Sequence, residues 1–484
     1  MNTSFPPSRT SWRGCTGHYS GGSTRREMLK HSCNGFGMLA LSALMTEKSY
    51  GAHQSLQVPH HRPAVKNVIF LFQDGGVSHV DSFDPKPKLT ELDGEKIEID
   101  NRENGAYFGE RIWLGSPWKF QRHGESGLPV SELFPHIASC IDDIAVIRST
   151  KSDFPLHSRG NLLLHTGSNS AGSPSLGSWV NYGLGSENEN LPGFVVLHSG
   201  FNVASGLENF SHGALPAKYH ATLAQTEGVP IENITPASQT AGVQRAKLDL
   251  LGNVDRQFST TQGSVDSIDS AINNYELAYR MQSLVPDVVD LSSETAATQK
   301  LYGIDSTHEP KKNYGIECLR ARRLIESGVR FVEVLCPNIQ GPTGTWDQHG
   351  NLKRDHEHNA SNTDQAIAGL INDLKARGLF DETLIVWAGE FSRTPHRSAP
   401  DSRDHHPTGF TVWLTGGGIK GGTIHGATDE LGMHAVEDIV SIHDLHATIL
   451  HLLGLDHERL TFRSGGRDLR LTEVYGNVID NIIT

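Results

Sequence analysis

The sequence has few cysteines, no excess of positive charge and no long apolar run. Its 484 residues include 5 Cys, and only Cys140, Cys318 and Cys336 lie beyond the N-terminal fifty residues. An odd number of widely spaced cysteines forms neither a disulfide framework nor a cysteine zinc site. The net charge of -13 argues against a nucleic-acid binder, because phosphate neutralisation needs a basic surface. Beyond the N-terminal region, no segment has the ~20 apolar residues of a membrane-spanning helix.

The N-terminus resembles an export signal. Arg25 and Arg26 stand in the stretch TRREMLK, which precedes a short apolar run over 35–45. That run has the length of a signal-peptide core and is too short to span a bilayer. The stretch is similar to the twin-arginine signal, which implies export of a folded protein, often with its cofactor bound, to the periplasm or beyond. An ordinary basic leader is the alternative.

The rest of the chain alternates strand and helix patterns. We predict a leader over 1–52, a linker over 53–66 and one α/β domain over 67–480, with a helical insertion at about 199–305. Short connections between alternating strands and helices predict a doubly wound, mostly parallel sheet flanked by helices. Strands are predicted at 68–73, 145–148, 193–197, 329–335, 383–389 and 409–415. Four helices are predicted. One starts at Ser131, one ends at Gly167, one spans 267–285 and one ends at Gly378.

Acidic and imidazole residues follow the predicted strands or lie in glycine-flanked loops. By the general rule for open α/β sheets, functional side chains gather at the carboxyl ends of the strands. Carboxylates and imidazoles together suit zinc or manganese, and carboxylate-rich sites also accept magnesium or calcium. Each acid taken singly is equally explained as a helix cap or a surface carboxylate. Taken together, they predict a divalent-metal site formed by Asp74, Asp347, His349, Glu390 and either His405 or His406.

Several segments together resemble the alkaline phosphatase and sulfatase superfamily. NVIFLFQDGG is similar to its first strand, which ends in a metal-binding Asp, and HSRGNLLLHTG is similar to the helix that begins with the nucleophile. DETLIVWAGEF is similar to a later strand that carries an acidic ligand. The resemblance implies a three-layer α/β/α fold of the alkaline phosphatase type and metal-dependent hydrolysis of phosphate or sulfate esters.

The motifs FDPKP, GEFSRTP, RDHHP and GGGIKGGTIHGATDE resemble the bacterial secreted family called domain of unknown function 1501 over nearly the whole chain. The resemblance implies that Asp74 is the first metal Asp. It also implies that Asp347 and His349 form an Asp–His pair and that Glu390 stands where an Asp is usual. His405 or His406 resembles a further His ligand.

The chain departs from sulfatases in two places. Gly75 follows Asp74 where a second Asp is usual, and no Cys stands at the start of the nucleophile helix. Formylglycine chemistry is therefore not expected. Either Ser158 attacks from a helix start, or a metal-bound water attacks with His157 as base or extra ligand. Arg159 is a candidate for binding an oxyanion, and Ser158 could instead be a helix cap.

These features predict an exported metal-dependent hydrolase of sulfate or phosphate esters, with polysaccharides as candidate substrates. The alternative is a protein that holds a metal or a glycan without turnover on a degenerate hydrolase fold. The missing cysteine favours the alternative, and the intact acid and imidazole motifs favour the hydrolase. The metal, the ester and the oligomeric state cannot be read from the sequence.

Overall fold

A computed structural model describes most of the chain after the N-terminal region. The described residues are 58–97, 111–200, 203–231, 234, 241–262, 266–337 and 344–484. The predicted twin-arginine signal lies outside them. The described part of the predicted linker packs against the domain, because the backbone N–H groups of Ala64 and Val65 donate to the carbonyl of Leu452 at 2.8 and 3.0 Å.

Strands and helices alternate through the described chain. The strands are β1 (Asn67–Phe72), β2 (Ile112–Trp113), β3 (Phe120–His123), β4 (Leu128–Ser131), β5 (Ile144–Lys151), β6 (Phe194–His198), β7 (Thr222–Gln225), β8 (Phe331–Leu335), β9 (Thr383–Ala388), β10 (Ser392–Arg393), β11 (His396–Arg397), β12 (His405–His406), β13 (Phe410–Gly416), β14 (Thr423–His425), β15 (Ala427–Thr428), β16 (Ala435–Glu437), β17 (Val440–Ser441), β18 (Phe462–Ser464) and β19 (Arg467–Leu469). The helices are α1 (His79–Ser82), α2 (Pro87–Glu91), α3 (Pro135–Ala138), α4 (His157–Thr166), α5 (Leu176–Leu184), α6 (Ala241–Gln262), α7 (Asp266–Val289), α8 (Ala296–Leu301), α9 (Glu309–Glu326), α10 (Leu352–Ala376) and α11 (Ile442–Leu452).

A mixed sheet forms the centre of the domain. Its strands run in the order β14-β5-β13-β9-β1-β8-β6-β7, and β17 also pairs with β5. Within the described chain, every pairing in this sheet is parallel except those of β13 with β5 and with β9. The prediction of a doubly wound, mostly parallel α/β sheet is therefore confirmed.

Helices cover both faces of the sheet. Along β1, Ile69 and Leu71 join one buried cluster with Leu319 of α9 and Leu370 of α10. Because successive strand residues point to opposite faces, the alternate residues of β1, such as Phe70, belong to a second cluster. That second cluster includes Val180 of α5 and Leu445 of α11. The result is the predicted three-layer α/β/α arrangement.

One predicted element differs from the structure. The helix predicted from Ser131 begins only at Pro135, because residues up to Ser131 form the second strand of the β3–β4 hairpin, with Phe120 opposite Ser131. The region at about 199–305 contains α6, α7 and α8 and also contributes β7, which pairs in parallel with β6. None of the helices in the described ranges combines the length and apolar character that a membrane crossing requires.

The sheet order brings five segments to one edge. Parallel strands β5, β1, β8 and β9 end there, and chain segments that carry predicted site residues follow each of them. Strand β13 runs in the opposite direction, so its amino end lies at the same edge and the preceding β12 lies beside it. The predicted site residues therefore have a common location in the fold.

Candidate metal centre

The pairing of β10 with β12 decides which of two adjacent histidines reaches the centre. The two strands are antiparallel, with Arg393 opposite His405 and Ser392 opposite His406. Because neighbouring strand residues point to opposite faces, Arg393 and His405 share one face and Ser392 and His406 share the other. The first face lies against Asp347. We call it the Asp347 face.

Asp347 is the hub of the centre. Its Oδ1 lies 3.2 Å from His157 Nε2, 3.0 Å from His349 Nε2 and 3.2 Å from His405 Nε2. Arg393 Nη2 donates to the same oxygen at 2.5 Å. Two overlapping groups have donor atoms close enough to hold one metal ion. They are His157, Asp347 and His405, and His349, Asp404 and His405.

His157 and His405 each have an oxygen acceptor on Nδ1, and His349 Nδ1 has a more distant carboxylate. His157 Nδ1 lies 2.5 Å from Glu390 Oε1, and His405 Nδ1 donates to the carbonyl of Pro155 at 2.6 Å. His349 Nδ1 lies 3.6 Å from Asp404 Oδ1. Acceptors of this kind hold the Nδ1 proton of metal-binding histidines and leave Nε2 free to bind a metal. The arrangement has the outer interactions expected of a histidine metal site.

His157 reaches the centre from the start of α4. The helix begins at His157, and its N-cap residue is Leu156 in an extended conformation. Ser158 is therefore not the cap, in contrast to one of the two roles considered for it. Ser158 and Arg159 are exposed. Within the described residues, neither side chain is a hydrogen-bond partner of Asp347 or of its three histidines.

A close backbone approach places the loop that carries Asp347. The N–H of Trp346 donates to the carbonyl of Asp74 at 2.9 Å, and its indole Nε1 donates to Gln73 Oε1 at 3.1 Å. Gly75 has a φ of 102°, and a Cβ there would lie 2.6 Å from the backbone nitrogen of Asp347. A glycine at position 75 is thus required for this loop position.

Glu390 and Asp74 lie behind the hub. Glu390 is fully buried and accepts hydrogen bonds from the N–H of Gly75 at 3.0 and 3.2 Å as well as contacting His157. Asp74 Oδ1 accepts from Asn161 Nδ2 at 3.2 Å. Neither carboxylate belongs to the two groups that can hold a metal ion. The structure thus brings Glu390 next to His157 but does not bring Asp74 or Glu390 to the predicted ligand cluster.

Burial and close charges shift the pKa values in the centre. Burial raises the pKa of Asp74 to about 7, with a further contribution from the nearby Glu390 carboxylate. Burial alone lowers the pKa of His157, but its bonds to Asp347 and Glu390 outweigh that effect and raise it to about 9. Burial opposes ionisation of Asp347, yet the bonds from its histidines hold its pKa well below the usual range. Burial lowers the pKa of His405.

His406 lies on the other face of the β10–β12 pair and does not enter the cluster. Its Nε2 donates to the carbonyl of Gly432 at 3.1 Å, and His79 Nε2 donates to the same oxygen at 2.9 Å. The two rings stack with an interplanar angle of 9°, and Ser392 Oγ lies 2.7 Å from His79 Nδ1. We call this the His79 face. Burial lowers the pKa of His79 and of His406 to about 3.

Two residues of the centre could be given no definite role from the sequence. Arg393 was equally consistent with binding an oxyanion or pairing with an acid; it is fully buried at the hub, and its Nε also donates to the carbonyls of Gly75 and Gly76 at 3.1 and 3.2 Å. Asp404 stood in the acid and imidazole cluster with His405 and His406 but was not predicted as a ligand. The carbonyl of Pro155 carries no sequence signal, because any residue supplies a carbonyl oxygen.

A family model described as "Protein of unknown function (DUF1501)" matches residues 65–483. No curated protein matches the chain. Solved structures with a similar fold include the alkaline phosphatase from the Antarctic bacterium TAB5, at 12% identity and a TM-score of 0.34, covering 81% of this chain and 98% of that one.

Two further structures resemble the chain to a similar degree. The lipoteichoic acid synthase LtaP from Listeria monocytogenes has 9% identity and a TM-score of 0.37, with 90% of this chain and 79% of that one covered. The PsFucS1 sulfatase from Pseudoalteromonas sp. has 12% identity and a TM-score of 0.35, with 87% and 72% covered. Similarities at this level carry no argument about chemistry.

Proposed function

The chain belongs to the DUF1501 family, and from the centre around Asp347 we propose that it is an exported metal-dependent hydrolase of sulfate or phosphate esters. One observation supports the metal site: His405 Nε2, His349 Nε2 and Asp347 Oδ1 lie within 3.0–3.2 Å of one another. His405 donates its Nδ1 proton to the carbonyl of Pro155, so in the neutral ring its Nε2 carries a lone pair that could bind a cation shared with Asp347.

The donor spacing fits a cation. Two ligand atoms bound to one zinc ion at about 2.0–2.1 Å lie roughly 3.3 Å apart in tetrahedral geometry. The separations of Asp347 Oδ1 from the three imidazole nitrogens are 3.0 to 3.2 Å. His349 and His405 approach equally closely, with 3.0 Å between their Nε2 atoms. Imidazoles outnumber carboxylates in this set, which favours zinc over calcium or magnesium.

The residues of the chain then have distinct roles. Asp347, His405 and His157 would hold the cation, with His349 as a further ligand from the more exposed side. Glu390 would orient His157 through its Nδ1, and Pro155 would orient His405 in the same way. When bound, a divalent cation polarises the ester oxygen and lowers the pKa of water. Sulfated or phosphorylated polysaccharides are the candidate substrates, and the periplasm or the cell exterior the candidate location.

One observation favours the non-catalytic alternative. The first residue of α4, where the resemblance leads us to expect a nucleophile, is His157, and both of its nitrogens face carboxylates. Ser158 and Arg159, the other candidate catalytic residues, are exposed. A protein that binds a metal or a glycan without turnover would tolerate this arrangement. Metal binding and turnover therefore need separate measurements.

The test begins with the metal content of the purified chain, measured by elemental mass spectrometry. We expect about one divalent ion per chain in the wild type and loss of that ion in His405→Ala. His406→Leu serves as the matched control, because the adjacent histidine lies on the other face. Release of nitrophenol from sulfate and phosphate esters then separates the two functions. Bound metal without turnover would support the binding protein, and retention of the ion in His405→Ala would overturn the site.

A further inference from the structure

Arg393 is a buried cation in direct contact with the oxygen at the hub. Its side chain is fully buried, and Nη2 donates to Asp347 Oδ1 at 2.5 Å. The guanidinium also donates through Nε and Nη2 to the carbonyl of Gly75 and through Nε to that of Gly76. These backbone carbonyls follow β1 directly, so the positive charge is fixed in the fold.

We infer that Arg393 is a built-in competitor for Asp347, which makes the affinity of the centre for divalent cations lower than it would be without this arginine. The inference rests on the proposed metal site and adds a residue that sets its affinity and selectivity. In the metal-free protein Arg393 neutralises Asp347. A cation that binds Asp347 Oδ1 must draw that oxygen away from Arg393 Nη2.

The burial of Arg393 determines whether its removal tightens or weakens cation binding. An exposed arginine retreats into water when a second cation arrives, and its charge is screened. Arg393 is held by backbone carbonyls in a site of low dielectric constant, where repulsion between like charges is strong. The alternative role, in which Arg393 orients Asp347 for the cation, predicts the opposite result on its removal. The two roles therefore differ in the sign of one measurement.

The second consequence is selectivity. A cation held mainly by carboxylate oxygens depends on Asp347 far more than one held by three imidazoles. The repulsion from Arg393 acts on every divalent cation alike, whereas its hydrogen bond to Asp347 weakens the carboxylate contribution specifically. The centre should therefore discriminate against magnesium and calcium more strongly with Arg393 present than without it.

The experiment compares cation affinities of the wild type and Arg393→Gln by calorimetric titration with zinc, manganese and magnesium after treatment with a chelator. We expect Arg393→Gln to bind manganese at least tenfold more tightly, with a larger gain for magnesium than for zinc. Arg393→Lys keeps the charge and should remain close to the wild type. Unchanged or weaker manganese binding in folded Arg393→Gln would overturn the inference. Circular dichroism establishes that each variant is folded.

Two controls keep the result decisive. Arg403→Gln removes another fully buried arginine from the same region, one that pairs with Asp81 and does not contact Asp347. It should not tighten binding. If Arg393→Gln does not fold, a structure of the manganese-loaded wild type decides instead. A broken bond between Arg393 Nη2 and Asp347 Oδ1 supports competition, and an intact bond overturns it.

The failure of the inference can be told apart from the failure of the metal site. If the wild type binds a cation and Arg393→Gln binds it no better, only the role of Arg393 is lost. If neither protein binds any of the three ions, the metal site itself is lost as well. If the wild type binds none of the three ions and Arg393→Gln binds manganese, the result supports a competition strong enough to prevent binding in the wild type.

Discussion

Both faces of the β10–β12 pair carry histidine side chains, but the surroundings of those histidines differ. On the Asp347 face, His405 meets an acid and two other histidines next to solvent, and His349 there is half exposed. On the His79 face, His406 is buried, and its ring nitrogen and that of His79 donate to one backbone carbonyl. The difference indicates that the group facing a histidine ring nitrogen, more than the histidine itself, decides whether that nitrogen is available to a ligand.

On the buried side of this region, Arg403 uses all three guanidinium nitrogens in hydrogen bonds. Arg403, which begins the RDHHP motif, pairs with Asp81 through Nε at 2.7 Å and Nη2 at 3.0 Å, and both side chains are fully buried. Arg403 Nη1 donates to the carbonyl of Thr394 at 3.0 Å. The Asp347 face, in contrast, gathers three imidazoles around one carboxylate oxygen. We therefore expect substitutions to separate into those that change stability and those that change metal content.

The largest effect is expected from Arg403→Met on the buried side. Removing one partner of a buried ion pair leaves the Asp81 carboxylate without its counter-charge and costs about 3–5 kcal/mol. Denaturant unfolding should show this loss. The double variant Arg403→Met with Asp81→Leu is the control, and it should recover part of the stability. A loss of unfolding free energy below about 1 kcal/mol in the single variant would contradict the stabilising role of the buried Arg403–Asp81 pair.

Gly75→Ala is expected to damage the Asp347 face directly. The φ of 102° costs about 1–3 kcal/mol for a residue with a side chain, and the added Cβ meets the backbone of the Asp347 loop. We expect this loss of stability together with loss of the bound metal. Gly378→Ala offers a matched control: its φ is 71°, but a Cβ there meets nothing within 4 Å. Full metal content in Gly75→Ala would show that the loop does not need the close approach.

His406→Ala and His405→Ala sharpen the comparison between faces. Loss of His406 removes a buried ring and leaves the Gly432 carbonyl with one donor fewer, so we expect a loss of about 1–3 kcal/mol with the metal retained. Loss of His405 should cost little stability in the metal-free protein and should remove the metal. Thermal unfolding with and without a chelator measures both quantities. The same stability change in both variants would mean that the faces are not distinct.

The smallest effect is expected from Ser158→Ala. The side chain is exposed on the first turn of α4 and caps nothing, so stability should change by less than about 0.5 kcal/mol. Metal content should be unchanged. A fall in ester hydrolysis with metal and stability intact would instead identify Ser158 as the attacking group. Turnover of nitrophenyl esters is the measurement that decides.

Sequence patterns were sufficient for the sheet and for the neighbourhood of the site. The apolar runs before Asp74 and Glu390 predicted parallel strands, and parallel strands deliver their ends to one edge whatever the details of pairing. The role of each residue at that edge was harder to predict from the sequence. Glu390 and Asp74 were expected in the ligand cluster, yet the structure puts His157 between Glu390 and the hub. Metal binding by Asp347, His349 and His405 stays a prediction.

The remaining details depend on contacts between distant segments. Whether His405 or His406 faces Asp347 is set by the register of β12 on β10, and a shift of one residue would exchange them. Arg393 could not be assigned from its motif, because an arginine next to a strand pairs equally well with an oxyanion or with an acid. The structure shows the acid as its partner.

The interaction of His405 with Pro155 joins positions 250 residues apart. Ordering so long a stretch of chain before any contact stabilises it is entropically costly and slow. We therefore expect the centre to form late in folding, together with the pairing of β13 and β5, which joins residues similarly far apart in the chain. A chain truncated before β12 would keep His157, Asp347 and His349, yet it would lack the histidine shared by both candidate metal-binding groups.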